Sequence, residues 1–89
     1  MQIDLCSIES NEQLHKHLSS SLLFPDFYGM NWDAFWDCIT DLIVLPETIE
    51  FLNSQSLKAK LPESYTQLKE CFTDLALEYP NINCHVIWH

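Results

Sequence analysis

The chain has no arginine, and its four lysines leave the whole stretch between Lys16 and Lys58 without one. Proteins bind phosphate backbones through cations that displace counterions, so nucleic acid is excluded as a partner of this surface. Glycine is nearly as scarce. With Gly29 alone, the chain cannot build the glycine-rich loop that cradles a nucleotide phosphate. The longest unbroken aliphatic run, Leu42-Ile43-Val44-Leu45, is far too short to span a bilayer. The opening Met1-Gln2-Ile3-Asp4-Leu5-Cys6 lacks the basic segment and long apolar stretch of a signal peptide, which points to a cytoplasmic protein. No CxxC occurs among Cys6, Cys38, Cys71 and Cys84. Each sits among apolar residues and reads as a reduced, buried small hydrophobe, not as part of a disulfide framework.

Acidity is the strongest bulk signal. Thirteen Asp and Glu against four Lys give a net charge of −9. Asp26, Asp33, Asp37, Asp41, Glu47 and Glu50 all fall in the lysine-free gap. Such a field speeds encounter with a basic protein. Solubility is the other reading of the same acidity. A hydrophobic content of 47% is that of a globular domain and not of a disordered chain. The 89 residues form a single domain, 1–89, with one core and a limited stability margin.

Residues 2–6 alternate polar and apolar and read as a strand. Ser10 followed by Gln13 matches a capping box. Leu14, Leu18 and Leu22 then recur at helical spacing, so a first helix runs from about 11 to 21 and stops before Pro25. A loop over 23–30 turns at Gly29, where glycine supplies a positive φ. Asn31 caps a second helix, with Asp33 in its first turn complementing the dipole. Phe35, Cys38, Ile39 and Leu42 form its core stripe, and it ends near 42–45 before Pro46. A second strand covers 48–52. Asn53-Ser54 offers caps for a short third helix over roughly 55–60, and Pro62 opens a fourth that runs to about Glu78. Leu68, Phe72, Leu75 and Tyr79 line its apolar side, with Cys71. Residues 83–88 form the last strand. Counted loosely the order is β-α-β-α-α-β, which calls for an α/β domain with a parallel sheet.

Residues 24–38 carry the chemistry. They hold Gly29, two of the three tryptophans (Trp32 and Trp36), the acids Asp26, Asp33 and Asp37, and no basic residue. A helix from Asn31 puts Asp33, Trp36 and Asp37 on one face. Two carboxylates can form an acid/base pair, but only in a desolvated cleft that separates their pKa values. An exposed helix face lacks one, so the pair reads as a solvated acidic face or a binding surface. Trp36 between them has the character of an interface anchor, unless it folds inward onto the loop at Phe24–Tyr28. The histidines assemble no tetrahedral metal set: His15 and His17 do not share a helix face, and His85 and His89 lack further ligands. No nucleophile sits in an elbow or dyad setting. The chain therefore reads as a non-enzyme with neither cofactor nor metal.

Leu23-Phe24-Pro25-Asp26-Phe27-Tyr28-Gly29-Met30-Asn31-Trp32-Asp33-Ala34-Phe35-Trp36-Asp37-Cys38 closely resembles the signature of the barstar family of intracellular ribonuclease inhibitors. The resemblance continues more weakly along the whole chain. It implies a small three-stranded parallel sheet packed with about four helices. It also implies that the second helix and its preceding loop enter the cleft of a basic ribonuclease or nuclease toxin, with a carboxylate in a phosphate site. By position that carboxylate is Asp37, and Asp33 is the second acid. Asn31 and Trp36 are neighbouring contacts, Gly29 is the contact-loop glycine, and Asp74 is a further acid in the last helix. A one-to-one inhibitor, monomeric when free, is implied by the resemblance, as is service in toxin immunity. Phe27 replaces a contact tyrosine of the family's well-known member, and Asp41-Leu42 replaces its Gly-Trp. These departures bear on the choice of partner. They leave open a binding module of the same fold for a non-ribonuclease toxin or a regulatory protein.

Overall fold

The computed structural model describes residues 1–89 and runs β1 (Gln2–Asp4), α1 (Asn11–Leu22), α2 (Trp32–Asp37), a π-helical turn (Cys38–Leu42), β2 (Thr48–Leu52), α3 (Ser54–Lys60), α4 (Pro62–Glu78) and β3 (His85–Trp88). The sheet order is β1-β2-β3, and both pairings are parallel, as the helical crossovers require. Two helices lie between β1 and β2, so the full order is β-α-α-β-α-α-β. β1 and β3 are each shorter than the alternation of the sequence implies.

β2 sits in the middle and sets the core. Ile49 and Phe51 are fully buried on one face, while Thr48, Glu50 and Leu52 on the other keep partial exposure. Ile3 lies opposite Phe51 on β1, and Trp88 lies opposite it on β3. The Phe51 and Trp88 rings stack at 4.6 Å. Leu14, Leu18 and Leu22 of α1, Phe35 of α2, Leu57 of α3 and Leu68, Phe72 and Leu75 of α4 complete one continuous core.

Polar ties close the sheet at its ends. The Met1 amino group donates to Thr48 O at 3.0 Å. Ser54 donates to His89 O through both its N–H (2.9 Å) and its hydroxyl (2.8 Å). Asp4 Oδ1 accepts from Asn53 Nδ2 at 2.8 Å and from Cys6 N at 2.9 Å. These bonds, the Asn53 one first, hold Asp4 below the ordinary carboxylate range. Asn53 thereby spends its side chain on β1 and gives α3 no side-chain cap, contrary to expectation.

Four local details depart from the sequence reading. The Ser10 cap forms, with its Oγ accepting from Gln13 N at 3.2 Å, but Gln13 Oε1 reaches back to Glu9 N, one residue upstream of the cap. α1 ends in a left-handed Leu23 with φ 58°, although its side chain is 82% exposed. That conformation costs a non-glycine residue about 1 kcal/mol. It lets Phe24 N–H reach Ser19 O at 3.0 Å and turns the Phe24 ring into the core. Cys6 is exposed, unlike the expected buried thiol, because the chain leaves the sheet after Leu5. Finally, the second helix does not stay α-helical to its end. After Asp37 it widens into the π turn, closed by Ile43 N–H to Cys38 O at 3.1 Å. The extra residue per turn shifts the facing of the residues at its end. Phe35, Cys38 and Ile39 stay buried as expected, but Leu42 swings out to 48% exposure.

Candidate functional site

The loop before α2 is held from beneath by a cluster of rings. Phe24 meets Tyr28 at 4.8 Å and Phe35 at 5.6 Å, and Trp32 meets Phe35 at 5.4 Å, all edge-on. His15 of α1 closes the cluster, 4.6 Å from Trp32. The His15 ring is fully buried, and its Nδ1 lies 2.6 Å from the Tyr28 hydroxyl. Burial pushes the Tyr28 phenol far up, so it stays protonated, and the hydroxyl also donates to Asn31 O at 3.4 Å. Nε2 has no partner, so the Nδ1–Tyr28 bond is the ring's single polar tie, with its direction set by the imidazole tautomer.

This clamp is titratable. Burial lowers the His15 pKa below its ordinary value of 6.5. The unfolded chain therefore takes up a proton below about pH 6.5 that the folded chain refuses. Stability is full above that pH and falls as pH drops, by at most about 1.4 kcal/mol per unit, until the folded-state pKa is reached. Asp4 and Glu50, whose ordinary values are 3.8 and 4.5, act below this window. Urea midpoints measured from pH 7.5 to 5 are expected to fall for the native chain and to stay flatter for His15→Gln. Equal slopes in the two proteins would contradict the clamp.

Gly29 plays a different part from the one its type suggests. Its φ is not positive; the left-handed residue at this turn is its neighbour Met30, at φ 54°. A Cβ at Gly29 would lie 3.3 Å from Asn31 Nδ2 and 3.5 Å from Ala34 Cβ. Glycine thus makes room for the Asn31 cap. Asn31 Oδ1 accepts from Ala34 N at 2.8 Å, and its Nδ2 donates to Gly29 O at 3.2 Å. Both ends of the Asn31 side chain are therefore engaged in starting α2.

Asp33 and Asp37 are exposed on α2, Asp41 is exposed in the π turn and Asp26 in the loop. Asp74 is exposed on α4, the helix against which Phe35 packs α2 through Phe72 at 5.9 Å. None of these five carboxylates accepts a hydrogen bond or meets a cation within the chain. The ion pairs are Lys16–Glu12 and Lys60–Glu9, and His89 Nε2 lies 3.0 Å from Glu50 Oε1. Lys58 and Lys69 lie instead over the Tyr65 ring at 5.8 and 5.4 Å. Asp41 moreover lies in the last turn of the helical run, where an acid opposes the macrodipole. Fold stability therefore does not account for them.

Trp36 is half-buried. It does not join the cluster under the loop. Its ring meets Tyr79 edge-on at 6.0 Å, and Tyr79 is 38% exposed and not buried in the α4 stripe. Phe27 projects from the loop at 77% exposure. The structure thus gathers Gly29, Asn31, Asp33, Trp36 and Asp37 on one loop and helix, with Phe27 beside them and Asp74 on the helix that packs behind. From the sequence, His15 is weighed only as a metal ligand, Tyr28 sits within the loop and Tyr79 lies on the apolar side of the last helix, so none of them is given a part at the site. The spacing of His15 to Leu18 and Leu22 carries the signal for the first.

No group of three His, Cys, Asp or Glu side chains that could hold a metal ion forms, and no helix is long and apolar enough to cross a membrane. A family profile described as Barstar (barnase inhibitor) matches residues 1–87. The chain belongs to the barstar family. It is also similar to "Putative ribonuclease inhibitor YrdF" of Bacillus subtilis strain 168, at 47% identity over 51 residues. That match covers 57% of this chain and 56% of the relative, so it spans about half the length of each. The barstar fold and the loop-helix unit are thus both present here.

Proposed function

We propose that this barstar-family chain inhibits a ribonuclease by entering its active site one-to-one and putting carboxylates where RNA phosphates bind. The observation that carries the reading is the pair Asp33 and Asp37, exposed on a helix locked in place from beneath and unpaired within the chain. A ribonuclease cleft must hold phosphodiester, so it is lined with Arg, Lys and His. Carboxylates meet such groups in charge-assisted, often bidentate bonds. Fixing them on a capped helix lowers the ordering cost on binding. Phe27, Gly29, Asn31, Trp36 and Asp74 are the neighbouring contacts, and the net charge of −9 speeds capture of a basic enzyme. The partner is a basic ribonuclease or nuclease toxin, and the inhibitor is a cytoplasmic monomer that serves as its immunity protein.

Titrating a ribonuclease retained by the immobilised protein tests this. Activity is expected to fall linearly to an end point at one inhibitor per enzyme. Full activity at excess inhibitor contradicts it. The apolar Phe27 and the outward Leu42 favour a second reading, a partner of the same basic character without ribonuclease activity. Recovery of a non-ribonuclease toxin on the same column would select it.

A further inference from the structure

We infer that Tyr79 is a positioning residue for Trp36, and that the two rings form one corner of the partner-binding face; the second clause rests on the inhibitor reading above. Trp36 needs such a support. It stands outside the ring cluster of His15, Phe24, Tyr28, Trp32 and Phe35, and Tyr79 is the one aromatic ring it meets. The indole packs only partly against the core, and without a neighbour on its exposed part it keeps rotamer freedom that binding must then remove.

Tyr79 is built to supply that support. It caps the C-terminus of α4, with its N–H donating to Leu75 O at 2.9 Å and its carbonyl accepting from Ile82 N–H at 2.9 Å. Pro80 comes next and stiffens the turn. The backbone is thus tied on both sides of the ring. Core burial does not explain the residue, since it is 38% exposed, and its hydroxyl makes no bond within the chain. What the ring does is present itself edge-on to Trp36 at 6.0 Å. The contact also ties the α4 end to the helix carrying Asp37, the chain neighbour of Trp36.

A second aromatic pair shows what an occupied corner looks like. Tyr65 and Trp88 meet at 6.1 Å, and Lys69 covers both, at 5.4 and 5.3 Å. No lysine of the chain lies over Trp36 or Tyr79, and both rings keep part of their surface exposed.

The test is a double-mutant cycle read by inhibition. Tyr79→Ala is expected to weaken inhibition about three- to tenfold when Trp36 is present and hardly at all in a Trp36→Ala background. Tyr79→Phe should restore native affinity, since the ring and not the hydroxyl acts. Equal losses in both backgrounds, or no loss from Tyr79→Ala, would overturn the inference. A readout free of any partner separates it from the inhibitor reading: nitrogen relaxation of the Trp36 indole N–H in the unbound protein. The indole should be ordered in the native chain and in Tyr79→Phe, and mobile on the picosecond–nanosecond scale in Tyr79→Ala. An unchanged order parameter in Tyr79→Ala would overturn the positioning role whatever the partner proves to be. Failure of the native chain and Asp37→Ala alike to inhibit would remove the inhibitor reading and leave the indole result standing.

Discussion

Asp37→Ala is expected to weaken inhibition at least about a hundredfold, while its unfolding free energy in urea stays within about 0.5 kcal/mol of the native chain. The two halves of this result have separate causes. Asp37 is exposed and has no hydrogen bond or ion pair in the free chain. Removing it therefore costs the fold little. In the proposed complex the same carboxylate is buried against cations that hold phosphate. Truncating one member of a buried charge pair leaves the other desolvated and alone, which typically costs about 2–5 kcal/mol, on the order of a hundredfold or more. Asp37→Asn keeps the shape and loses the charge, so it should recover little. Asp33→Ala should show a smaller loss. Parallel inhibition titrations and urea melts check all three. Undiminished inhibition by Asp37→Ala would sink the assignment of the central acid.

Phe35→Ala is expected to show the reverse pattern, losing about 3–5 kcal/mol of stability. Phe35 is fully buried and meets Phe24 at 5.6 Å, Trp32 at 5.4 Å and Phe72 at 5.9 Å. It is thus the one ring shared by the loop, α2 and α4. Its removal leaves a cavity that cannot collapse without shifting the helix that carries Asp33 and Asp37. For a domain of this size the loss is a large part of a total of roughly 5–15 kcal/mol. Phe35→Leu fills most of the space and should cost far less. Urea unfolding measures both. A native midpoint for Phe35→Ala would show that the loop and α2 are not built on this ring.

Much of this was legible in the sequence because local signals and tertiary packing agree. Pro62, the β2 alternation and the Asn31 cap place their elements within a residue or two of where they lie. The loop-helix signature located the exposed acids, since their spacing needs only helical geometry. Other features depend on contacts that spacing cannot carry. The π turn is a backbone choice that no residue between Cys38 and Leu42 announces, yet it decides that Leu42 faces outward. Gly29 shows that residue type and role separate: its missing Cβ matters, while Met30 takes the positive φ. The contact between Trp36 and Tyr79 joins residues far apart in the chain, and neither position alone reveals it.

The most direct test of phosphate-site occupancy is competition between this protein and a mononucleotide for one ribonuclease. Association is monitored at rising concentrations of a nucleotide that binds the enzyme's active site. Occupation of the phosphate site predicts mutual exclusion, with apparent Kd rising in proportion to nucleotide once the enzyme is saturated. Asp37→Ala should lessen that dependence. Binding that is indifferent to saturating nucleotide would place the inhibitor elsewhere on the enzyme and contradict phosphate mimicry by Asp33 and Asp37.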